Sequence, residues 1–196
     1  KKDYAQASMY YLKGEDICGN YDAKKYGNMV QTIRNTIITE TDNAIKKLYT
    51  DTLISVYDRM DEKGLYKESE SSKRATYIIL SSIPDRRKAD AIYLRAFENN
   101  NKFTDYELTY YYFNLYTLFS ISKGEEQAAF KKRLISDYFR LSKKIEKENL
   151  LGSTQESLTA YFNGLVRTCE DILPELNGFM SSLPQDKEAK KKTVNN

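Results

Sequence analysis

The chain has 196 residues, 40% hydrophobic and 30% charged, a length and balance that suit a globular fold with a substantial core. Its 31 basic and 28 acidic side chains are mixed along the sequence and leave a net charge of +3, too little to indicate a nucleic-acid partner. Histidine is absent, which removes the commonest general base and the commonest zinc ligand, and there is no run of about 18 apolar residues to span a membrane.

Apolar residues recur with helical period almost throughout, and no segment sustains a period of two. A first helix is expected from about Asp3 to Cys18, stopped by Gly19-Asn20. A second, about Asp22 to Thr39, sets Tyr26, Met29, Val30, Ile33 and Ile37 on one side. Thr41-Asp42 caps a third, which carries Ile45, Leu48, Leu53, Val56, Tyr57 and Met60 inward and ends near Lys63-Gly64. Lys67 to Ser72 is polar and reads as a loop or frayed turn. A fourth helix spans about Ser72 to Ser82 and stops before Pro84.

Asp85 caps a fifth helix running to Glu98, and Asn99 to Asn101 form a loop. Thr104, with Glu107 three residues on, makes a capping box for a sixth helix. That helix is apolar all round, from Tyr106 to Ile121, so Tyr111, Leu115, Leu118 and Phe119 are expected to be largely buried between neighbours. A seventh helix, about Glu125 to Glu148, carries Phe130, Leu134, Ile135, Tyr138, Leu141 and Ile145 on one stripe. Gly152 to Thr154 open an eighth, with Leu158, Tyr161, Phe162, Leu165, Val166, Cys169 and Ile172 inward as far as a break at Pro174, and Pro184 ends the short turn that follows. Helices joined by such short turns pack as antiparallel hairpins.

One spacing recurs among these helices. Tyr4, Ala7, Tyr11 and Gly14 follow the order aromatic, small, aromatic, small; Ala89, Tyr93 and Ala96 repeat its last three members, with weaker echoes at Tyr49-Leu53-Val56 and Leu134-Tyr138-Leu141. The central residues Tyr11, Leu53, Tyr93 and Tyr138 recur about every 40 residues, the period of stacked helix pairs. On this spacing Ala7 and Ala89 should sit at close helix–helix contacts.

The signature resembles the packing face of the second helix in a tetratricopeptide (TPR) repeat. The stretch Leu48-Tyr49-Thr50-Asp51-Thr52-Leu53, continuing to Val56-Tyr57-Asp58-Arg59, is similar to a D-T-L…Y-D motif that closes a long helix in TPR-like proteins of Bacteroidetes. The likeness covers roughly residues 1–185. Residues 186–196, with Lys190 to Lys192 beside Glu188, form a polar segment that reads as the start of a further helix with a solvated basic face. The resemblance implies an all-α, right-handed TPR-like superhelical stack forming a single repeat domain. It also implies a binding or assembly role in the cell envelope, periplasmic or lipid-anchored at the outer membrane. The period is longer than in standard TPRs, and the Trp, the paired Gly-Tyr and most helix-ending prolines are missing, so no ligand-binding residue is carried over. The chain opens at Lys1-Lys2-Asp3 and closes in a Lys-rich stretch, which reads as a fragment or a processed form.

Chemistry is sparse. No Gly-rich phosphate loop, G-x-S-x-G, H-E-x-x-H or C-x-x-C occurs. Asp58, Asp61 and Glu62, and Glu125 with Glu126, read as solvated helix ends paired with nearby cations. Cys18 and Cys169 read as small buried apolar side chains. The expectation is therefore a monomeric, non-catalytic scaffold without metal or cofactor that binds a protein or peptide. A glycan-binding accessory protein is the alternative, since seventeen tyrosines supply flat faces with polar tips. If the first helix of each pair lines a groove, the candidate ligand-binding residues are Asn28, Gln31, Arg34 and Asn35, then Arg74 and Tyr77, then Asn114, then Asn163 and Arg167. Amides and guanidinium groups placed one per turn suit an extended backbone or a carboxylate terminus, and Asn28, Arg34, Tyr77, Asn114 and Arg167 should then share one concavity.

Overall fold

A computed structural model describes residues 3–166 together with Thr168, Ile172, Leu173 and Asn177. About four-fifths of these residues are helical, and no strand occurs among them. Eight α-helices follow in order: α1 (Tyr4–Cys18), α2 (Ala23–Thr39), α3 (Asn43–Glu62), α4 (Ser71–Leu80), α5 (Arg86–Glu98), α6 (Asp105–Ile121), α7 (Gly124–Glu148) and α8 (Gly152–Leu165). The polar stretch before α4 contains a single 3-10 turn, Glu68–Glu70. The chain divides into two compact units, Lys1–Asn114 and Leu115–Asn196.

The helix starts follow from local chemistry. Asp3, Asp22 and Asp85 each accept a hydrogen bond from a backbone N–H three residues on, at Gln6, Lys25 and Lys88. Asp42 accepts from both Ala44 and Ile45. At α6 the capping box is reciprocal: the Thr104 N–H donates to Glu107 Oε2 at 2.9 Å and the Glu107 N–H to Thr104 Oγ1 at 3.3 Å. Each such cap satisfies donors that a helix start leaves unpaired. α1 stops at Gly19, whose left-handed φ of 65° glycine adopts without steric cost.

In the first unit each helix packs on the next, α1 on α2, α2 on α3, α3 on α4 and α4 on α5. The centre of this unit is Tyr26, Met29, Val30 and Ile33 of α2 against Leu53, Val56, Tyr57 and Met60 of α3. Tyr93 and Phe97 of α5 meet Phe103 and Tyr111, which ties α5 to the start of α6. In the second unit α7 packs on α8, with Tyr138 stacked on Phe162 at 4.0 Å and its hydroxyl 3.1 Å from Thr159 Oγ1. Tyr111, Leu115 and Leu118 are buried as expected and Phe119 is half-buried, while Tyr106 and Ile121 at the two ends of α6 are exposed.

Four expectations change. Ile45 and Leu48 are exposed, Leu48 by 64%, because at 100° per residue Leu48 lies roughly a third of a turn from the arc carrying Leu53, Val56, Tyr57 and Met60. Ala7 is only half-buried, whereas Ala89 is fully enclosed. Cys18 is an exposed free thiol; the buried place near the end of α1 belongs to Glu15. α8 ends at Leu165, with Val166 already extended, since Asn163 and Gly164 are poor helix formers in its last turn. The expectations for Cys169, Pro174, Pro184 and residues 186–196 lie outside the described residues.

Candidate functional site

The polar residues expected to line a groove divide into three groups. Asn28 and Gln31 are exposed on α2, and Gln31 Nε2 donates to Oδ1 of the half-buried Asn35 at 3.1 Å. The cations and the buried amide are instead committed inside the first unit. Arg34 is buried, pairs with Glu70 and donates to the Tyr57 hydroxyl. Burial works against its charge, but Tyr57 and Glu70 outweigh that and hold its pKa above the ordinary arginine value. Arg74 is also buried, reaching Asp58 at 2.6 Å and Asp61 at 3.0 Å with its guanidinium 4.7 Å from the Tyr66 ring centre. Asn114 is fully enclosed, its Nδ2 donating to the Arg86 carbonyl at 3.0 Å. Asn163 is exposed on α8 of the second unit, and Arg167 lies outside the described residues.

Two concavities among the described residues of the first unit bear on this set. The smaller, about 180 Å³, is lined by Gln31 and Arg34 together with Gly27, Tyr57, Met60, Lys67 and Glu70. The larger, about 690 Å³, takes Tyr77 alone from the expected set. Its other lining residues are Ile37 and Ile38 from the last turns of α2, Asn43, Lys46, Lys47 and Thr50 from the start of α3, Leu80 of α4 and Tyr106 of α6. Thus Gln31 and Arg34 come together, Tyr77 faces a different space, and Asn114 is sealed between helices.

The larger groove lies within the size range of sites that hold small ligands or side-chain anchors. Most of its wall is aliphatic or aromatic. Ile38 is 71% exposed and Tyr106 55%, whereas Ile37, Tyr77 and Leu80 are half-buried. Burial raises the pKa of both the Tyr77 and the Tyr106 phenols, with Tyr110 adding to the effect at Tyr106, so both stay neutral at physiological pH. The Thr50 hydroxyl donates to the Lys46 carbonyl at 2.8 Å. None of the lining residues is acidic. The lining thus combines an apolar wall with two phenols, an amide and two ammonium groups.

Sequence reasoning overlooked Ile38, Lys46, Lys47 and Tyr106 as a group. The signal was the Ile37-Ile38 pair: adjacent residues on a helix point about 100° apart, so with Ile37 in the arc of Tyr26, Met29, Val30 and Ile33, Ile38 falls outside it. Comparison with protein-family models, with curated proteins and with solved structures finds no match for this chain. Among the described residues no group of three acidic, cysteine or histidine side chains is placed to hold a metal ion, and no helix is long and apolar enough to cross a membrane.

Proposed function

We propose that this chain is a non-catalytic scaffold that binds a protein or peptide, built as a TPR-like helical repeat and working in the bacterial cell envelope, with the larger groove of the first unit as its docking surface. The observation that carries the reading is the groove's exposed apolar wall. Leaving Ile38 and Tyr106 in water beside Ile37 and Leu80 forgoes burial worth about 25 cal/mol per Å² of apolar surface, which a ligand seated in the concavity would recover. The aliphatic share of the lining, Ile37, Ile38 and Leu80, suits apolar side chains of a polypeptide better than the hydroxyls of a glycan. The repeat architecture and the envelope location rest on the sequence resemblance to TPR-like proteins of Bacteroidetes.

The test is capture from extract by the immobilised chain and by an Ile38→Arg variant. Residue 38 is mostly exposed, so arginine there charges the groove without disturbing the core. The wild-type chain should retain one or a few polypeptides that the variant loses. Equal retention by a folded variant would move the site away from the groove. Retention of no polypeptide, together with binding to arrayed glycans, would replace this reading with the glycan one.

A further inference from the structure

We infer that the occupant of the larger groove is a short polypeptide segment that is acidic as well as apolar, setting side chains against Ile37, Ile38 and Leu80 and carboxylates against Lys46 and Lys47. The inference rests on the groove being the docking surface. It adds the chemistry of the partner.

Most buried and half-buried cations of the first unit pair with carboxylates, Arg86 excepted, which meets Asn114 Oδ1 and the Phe113 ring instead. Arg34 pairs with Glu70, Arg59 with Glu15, Lys73 with Glu70, and Arg74 with Asp58 and Asp61; Lys88 reaches Asp58 and Arg95 reaches Glu68. Lys46 stands outside this pattern, and the exposed Lys47 lies beside it on the groove. Lys46 is half-buried, yet neither ammonium has a carboxylate partner among the described residues. Carboxylates close by in sequence are already engaged by backbone donors. Glu40 accepts from the Thr41 and Asp42 N–H groups at 2.7 and 2.9 Å. Asp42 caps α3, and Asp51 accepts from the Ser82 N–H at 3.0 Å.

This decides among occupants. A neutral apolar segment would strip water from the Lys46 ammonium without compensation, which is unfavourable. A basic segment would be repelled at short range. A carboxylate offsets the desolvation and leaves the aliphatic stems of both lysines free to cover the apolar part of the ligand. The neutral Tyr77 phenol lines the same space and adds a donor there.

The experiment is selection of a displayed library of random peptides, about a dozen residues long, on the immobilised full chain. Binders that also recognise an Ile38→Asn variant, which removes the apolar contact without adding charge, are discarded. The expected survivors combine two or three apolar residues with Asp or Glu within one helical turn or a few extended residues. For a representative survivor, Lys46→Gln with Lys47→Gln should weaken binding about five- to twenty-fold at low salt, as two rim ion pairs allow, and should flatten the salt dependence. Neutral or basic survivors that still need Ile38 would overturn the acidic partner and leave the groove reading intact. No survivor that depends on Ile38 would overturn the groove reading itself. Self-association in sedimentation experiments that Ile38→Arg abolishes would assign the groove to a second copy, and would equally overturn the inference.

Discussion

Glu15 holds α1 to the rest of the first unit, and replacing it tests how that attachment works. The two buried side chains of α1 are both polar, Ser8 and Glu15, so this helix is fastened by directed contacts as much as by apolar area. Glu15 receives a forked pair of hydrogen bonds from Arg59 of α3, Nε to Oε1 at 3.0 Å and Nη2 to Oε2 at 2.9 Å, and accepts a third from the Tyr26 hydroxyl of α2. One carboxylate therefore joins three helices. A charged hydrogen bond contributes about 1.5–3 kcal/mol when well shielded. The Arg59 side chain is 37% exposed while that of Glu15 is 8% exposed, so solvent screening discounts the arginine's share. Glu15→Gln keeps the shape but sets an amide N–H against Arg59 Nη2, and should cost about 1–2 kcal/mol. Glu15→Ala should cost about 2–3 kcal/mol, because it also strands the enclosed Tyr26 hydroxyl. In a double-mutant cycle with Arg59→Ala the coupling should be about 1 kcal/mol. Hydrogen exchange read on α1, α2 and α3 peptides follows this unit separately from the second, and α1 amides should lose protection first. Additivity of the two substitutions within about 0.3 kcal/mol would refute the idea that the fork holds α1 in place.

Two further outcomes follow from the same packing. At Glu15, burial pushes the carboxyl up but Arg59 and Tyr26 outweigh it; at Glu70, burial is likewise outweighed by Lys73 and Arg34, so both sit below the ordinary glutamate value of 4.5. Folding then favours the ionised forms, so their contribution is complete above about pH 4.5 and is lost as pH falls through the lowered values. Melting temperature should drop in that acid range, and it should drop less steeply in Glu15→Gln with Glu70→Gln; identical pH profiles would sink the assignment. Ala89, fully enclosed, should reject a larger side chain: Ala89→Leu is expected to cost about 1–3 kcal/mol in thermal unfolding. Ala7→Leu should cost much less, because Ala7 is half-buried, and equal penalties at the two sites would mean that enclosure does not set the cost.

Helix identity and helix ends were legible in the sequence because their causes are local. Asp3, Asp22, Asp42, Asp85 and the Thr104/Glu107 box act on backbone groups two or three residues away, and each caps the helix whose start it marks. The inward stripe of α2, Tyr26 to Ile33, was readable for the same reason: period 3.6 is a property of the chain before it packs. Tertiary structure decided which polar residues remain available. Arg34 meets Glu70, Arg59 meets Glu15 and Arg74 meets Asp58 across helices, and no periodicity records which partner lies opposite. It also gathered Ile38, Lys46, Tyr77, Leu80 and Tyr106 from four helices into one groove. The physical reason is that a side chain's direction follows from its own helix, whereas what it meets depends on how neighbouring helices cross and rotate, and that is settled only when the cores close.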